Sequence, residues 1–169
     1  SDLPLVQEAR GQRAEAINTS GVIVGWTELA NLDVRAVRWD VHGAHVLPSG
    51  NTHSVAGDVN DAGTIAGHVY GTEGFIRPAT WSPTNTLTIL SLPASDNFGF
   101  ASGINNLGQV VGTTGVSNGP DLTHHAVVWS PDGTRLGATA HDPSGDKVGR
   151  IGQVYYDDDT DQPKWITVH

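Results

Sequence analysis

Short apolar runs alternate along the whole chain with turns rich in Gly, Asn and Asp, and one such pattern recurs. It reads AINTSGVIVGW from Ala16 to Trp26, DVNDAGTIAGH from Asp58 to His68 and GINNLGQVVGT from Gly103 to Thr113. A more divergent copy, KVGRIGQVYYD, runs from Lys147 to Asp157. The apolar residue opening each copy (Ile17, Val59, Ile104, Val148) recurs at spacings of 42, 45 and 44 residues. A repeat of about 40 to 50 residues is the length of four short strands with their turns.

Within a unit, the first strand is predicted to run into Asn-x-x-Gly (Asn18 to Gly21, Asn60 to Gly63, Asn105 to Gly108), where Gly and Asn tolerate the positive φ of a tight hairpin. A second strand follows (Val22 to Val24, Thr64 to Ala66, Gln109 to Val111). A third ends in tryptophan: Ala36 to Trp39, Pro78 to Trp81, Ala126 to Trp129 and Gln162 to Trp165. A turn such as Ser130-Pro131-Asp132-Gly133 leads to a fourth strand, as in Leu87 to Leu92. The third copy carries a longer polar stretch, Thr113 to His124, which is read as a loop.

These residues resemble the tandem extracellular repeat family known by its His-Ala-Phe signature, whose unit runs A-x-x-I-N-x-x-G-x-V-V-G, then h-A-f-x-W, then Leu-Pro. The third copy fits best, with Gly103 to Gly112 and His125-Ala126-Val127-Val128-Trp129. The fourth departs most, with Gly149 at the Asn position and no Ala before Trp165. The resemblance covers nearly the whole chain and implies a secreted or extracellular location. It implies no reaction.

Only 4 residues follow Trp165, whereas about 20 separate each earlier tryptophan from the next unit. The N-terminal Leu3-Pro4-Leu5 therefore supplies what the last unit lacks, as Leu47-Pro48 and Leu92-Pro93 do in theirs. This phase shift predicts an all-β, four-bladed β-propeller, its last blade closed by the N-terminal strand. The expected organisation is one domain over 1–169, with repeats at about 17–58, 59–103, 104–147 and 148–169 plus 1–16. Tryptophans 39, 81, 129 and 165 are expected to fill the space between blades, each with an N–H needing a partner. The small residues Ala14, Ala56, Ala101 and Gly145 suit first strands crowded round an axis.

Composition narrows the partners. A net charge of −9 with scattered basic residues disfavours nucleic acid and anionic membranes. No stretch approaches the roughly 18 to 20 apolar residues of a membrane helix, so no membrane insertion is expected. Cys is absent, which leaves the redox compartment open. Met is absent too, even at position 1, which suggests a processed or trimmed chain. Oligomeric state is left open.

Positions that differ between copies are free to bind something. They gather on the face carrying the loops between strands two and three and the unit-to-unit connections. Trp26, His68, Thr113 and Asp157 share one equivalent position there, and Arg35, Arg77, His125 and Asp161 another, while His53, Asn97, Phe98 and Gln12 come from the connections. The expected ligand site is Trp26, Arg35, His68, Arg77 and His125, holding a small polar molecule or glycan by stacking and charge-assisted hydrogen bonds. The competing reading has Arg and His merely pairing with acids at the rim. The alternative function is a lyase-, cyclase- or hydrolase-type enzyme, with His125 or His53 as acid or base beside Arg77. No cofactor is expected. Asp157, Asp159 and Asp161 alternate like the start of a calcium loop, but the Gly and distal Glu of such a loop are missing. Gly115-Val116-Ser117-Asn118-Gly119 matches a hydrolase elbow in spelling only, since no helix follows it.

Overall fold

A computed structural model describes residues 2–50, 53–71, 74–118, 121–137, 139–141, 144, 146–156 and 163–168. No helix occurs among them, and the fold is all-β. The first unit holds β1 (Ala9–Ile17), β2 (Ile23–Leu29), β3 (Val34–Asp40) and β4 (Gly43–Val46), paired in chain order as an antiparallel sheet. The second repeats this with β5 (Ser54–Val59), β6 (Ile65–Tyr70), β7 (Ile76–Trp81) and β8 (Leu87–Ile89). The third is three-stranded: β9 (Phe98–Ile104), β10 (Val110–Asn118) and β11 (Asp121–Trp129). Beyond it, β13 (Lys147–Tyr156) pairs with both β12 (Thr139–His141) and β14 (Pro163–Val168). None of these sheets closes on itself.

The repeated motif has a structural cause at each letter. Its first Gly takes positive φ at Gly21, Gly63 and Gly108, as a tight hairpin requires. The Asn before it does not. Its side-chain carbonyl instead accepts backbone N–H groups of its own turn: those of Ser20 and Val22 on Asn18, Thr64 on Asn60, and Leu107 and Gln109 on Asn105. The side-chain amide then crosses to the next unit, Asn18 donating to the Asn60 carbonyl at 2.9 Å and Asn60 to that of Asn105 at 3.1 Å. The last Gly of the motif stands opposite a β-bulge that interrupts the first strand between Ala14 and Ala16 and between Ala56 and Asp58. The same slip lies between Ala101 and Gly103. A Cβ on Gly25, Gly67 or Gly112 would overlap the carbonyl of Arg13, Val55 or Phe100, so only glycine fits.

Sheets stack in sequence, β5 lying against β1, β2 and β3, and β9 against β5, β6 and β7. Trp81 is fully buried in a core shared with Val24, Ala36 and Leu47 of the first unit, and Trp129 in one shared with Ala66 and Leu90 of the second. Each indole N–H finds a carbonyl in the segment leaving the preceding unit: Trp81 donates to Pro48 and Trp129 to Ser91, both at 2.7 Å. Trp39 makes the equivalent bond, at 3.0 Å, to Pro4. Trp165 and the Gly145 position lie outside the side chains described.

The stretch from Thr113 to His124 corrects the expectation of a loop. β10 and β11 pair without a break from Val110 opposite Trp129 to Asn118 opposite Asp121. The β-branched Thr113, Thr114, Val116 and Thr123 suit a pleated, half-exposed ribbon, so polarity alone misleads.

Candidate functional site

The loop-bearing end of the second and third sheets forms a cleft of about 410 Å³, lined by Tyr70, Phe75, Ile76, Phe98, Phe100 and His124, with Leu122, Ser117 and Gly74 at its borders. Its walls are locked ring to ring. His68 meets Phe100 edge-on at 5.1 Å, Phe100 meets Phe98 at 5.9 Å, and Phe98 meets His124 at 5.5 Å. His53 meets Tyr70 at 5.2 Å. Such T-shaped contacts put the positive edge of one ring on the negative face of another.

His68 is the chemically constrained member. Burial, with a smaller contribution from the nearby His53, pulls its pKa from 6.5 to about 4. A ring desolvated among aromatics holds no charge well, so His68 is neutral at physiological pH. It packs against Phe100, one of the lining residues, and does not itself line the cleft.

The residues expected to converge separate into distinct surroundings. His68 and the connection residues His53 and Phe98 do reach the aromatic cluster. Trp26 remains on the first sheet, where its indole N–H donates to Glu15 at 3.1 Å, and Glu15 also pairs with Arg13. Arg35 donates to the Ser49 hydroxyl at 2.7 Å and pairs with Asp33 at 3.2 Å, the rim-pairing alternative. Arg77 packs its stem against Gly71. His125 sits half-exposed on β11, 3.7 Å from Asp96, whose side chain is fully buried. Asp157, Asp159 and Asp161 lie outside the described residues.

Sequence comparison between copies missed Tyr70, Phe75, Ile76, Phe100 and His124. One signal was available: aromatic residues are few, yet Tyr70, Phe75, Phe98 and Phe100 all fall at the loop-bearing ends of the second and third units. The reading of polar variation at equivalent positions overlooked apolar variation at their neighbours.

No protein-family model matches this chain, and no curated protein matches it.

Proposed function

We propose that the protein is a non-catalytic recognition module whose ligand places an apolar ring or side chain in the cleft between the second and third sheets. The observation carrying this reading is the aromatic and imidazole wall from Tyr70 to His124, partly open to solvent and lined on one border by the polar Ser117. A pocket with mostly apolar walls and few polar groups is how compact ligands are held and oriented. The face is the one expected from sequence, but the chemistry shifts from charge-assisted bonding toward stacking. A glycan or metabolite that meets it would do so through the flat face of a ring.

We also propose that the four units form a ring closed by the N-terminus. Pro4 offers Trp39 the carbonyl that Pro48 and Ser91 offer the later tryptophans, which supports a place for residues 3–5 at the exit of the last unit. Closing the ring means seating the fourth sheet on the exposed Ala14 and Ile17.

Ligand-observed NMR with methyl glycosides and indole as probes tests the recognition reading. Saturation transfer to a ring probe that Phe100→Ala abolishes, with melting temperature lowered by no more than a few degrees, is the expected result. Transfer that survives Phe100→Ala, or no transfer to any ring, would sink it.

A further inference from the structure

The three third strands are protected differently along their outer edges. On β3, Val34 is bridged by His53, the Ala36 N–H donates to the Ser54 hydroxyl, and the Ala36 carbonyl accepts the Leu47 N–H. On β7 the equivalent position is Pro78, which has no N–H, and its carbonyl accepts the Leu90 N–H. Proline and a covering segment are two of the ways proteins blunt a sheet edge. On β11 cover extends only to its C-terminal end, where Arg135 bridges Trp129 and the Leu136 N–H donates to Val128.

The Val128 carbonyl points to the outer edge, and strand alternation puts the N–H and C=O of Ala126, His124 and Leu122 on that edge too. No hydrogen-bond partner meets these groups among the described residues. Each of the first two units has its third strand covered at the corresponding place. The third has a strand extended by its longer hairpin, with Leu122 to Ala126 exposed and uncovered among the described residues.

The same strand borders the cleft through Leu122 and His124. A strand laid along β11 would therefore run beside the aromatic wall, and its alternate side chains would stand over it. Main-chain bonding along an edge with a pocket for one side chain is how a folded sheet reads an extended peptide. A net charge of −9 favours a basic sequence. A second copy would bring the same negative charge.

We infer that this site takes an extended, basic peptide, which pairs with β11 at Leu122 to Ala126 and inserts one aromatic side chain among Phe98, Phe100 and Tyr70. This inference rests on the recognition reading above and narrows its ligand to a polypeptide.

The test uses a phage-displayed library of linear peptides selected on the intact protein, followed by calorimetry on the enriched sequences. Enriched peptides are expected to share an aromatic residue flanked by Lys or Arg. Methylating alternate backbone nitrogens should weaken them by about tenfold or more. Ala126→Pro removes one edge N–H and should cause a similar loss without lowering the melting temperature by more than a few degrees. As a second edge variant, Leu122→Pro covers the case in which Ala126→Pro fails to fold. Selection of no peptide, or of peptides indifferent to both N-methylation and the folded proline variant, overturns the inference. If ring probes bind while peptides do not, the recognition reading stands and the peptide fails. A dimer in sedimentation that Ala126→Pro dissociates would assign the edge to a second copy, and would also overturn it.

Discussion

The leading faces of the first and second sheets carry matching residues and meet different fates. Ala56 is fully buried and Val59 is 6% exposed, whereas Ala14, the counterpart of Ala56, is exposed and Ile17, the counterpart of Val59, is 64% exposed. The second sheet has the first to lean on. Among the described residues the first has only the N-terminal segment, which satisfies the Trp39 N–H but leaves clefts of about 400 Å³ and 250 Å³ beside that ring. Burial in a repeat protein thus belongs to the junction between units and not to the unit's own sequence.

The largest effect should come from the tryptophans. Trp81→Ala, which empties a closed core, is expected to cost about 4 kcal/mol in urea unfolding, and Trp39→Ala at least about 1 kcal/mol less. Equal losses would mean the two junctions are packed alike.

Acid should act on the second junction through His68. The pKa of His68 lies near 4 in the folded chain against 6.5 free, so the native state excludes its proton. Its contribution is complete above about pH 6.5, declines as the pH falls toward 4 and changes no further below that, in total on the order of 3 kcal/mol. His68→Phe should flatten this part of the pH–stability curve. A variant that keeps the full slope would assign it to other groups.

Smaller still, Val59→Ser is expected to cost about 2 kcal/mol. The proposed ring requires nearly the same of Ile17→Ser. If Ile17→Ser stays within about 0.5 kcal/mol of the parent, as exposed sites do, the first sheet is an open end and the ring fails.

At the bottom of the scale, Asn60→Ala should cost about 1 kcal/mol in the same unfolding assay, since it removes a buried link between units. Asn105→Ala should cost less. The amide of Asn105 turns back to Gln109 in its own turn, so no onward link to a fourth unit is broken.

Several of these features were legible in the chain. Asn-x-x-Gly marks the first hairpin of the first three units, because only a few residues close so tight a turn; the fourth copy, which lacks it, runs on as the single strand β13. Trp39, Trp81 and Trp129 could be assigned to the space between units because their size and polar N–H admit few other places. His53, His68 and Phe98 were read onto one face, where each meets another aromatic ring, but Trp26 and Arg35 were grouped with them on equivalence alone. Equivalent positions on different sheets point in parallel senses and are tens of residues apart in sequence, so they converge only if the sheets bring them together. Here Glu15 holds one and Asp33 with Ser49 the other.

The repeat length, the turn chemistry and the strand order within each unit follow from residues close in sequence, since hairpins and their turns are local. The side-chain amides of Asn18 and Asn60 reaching the next unit and the meeting of His68 with Phe100 were decided only by how sheets stack. Contacts across a junction, such as Trp81 with Pro48 and Asn60 with Asn105, join residues tens of positions apart, and no local propensity encodes which of them will meet.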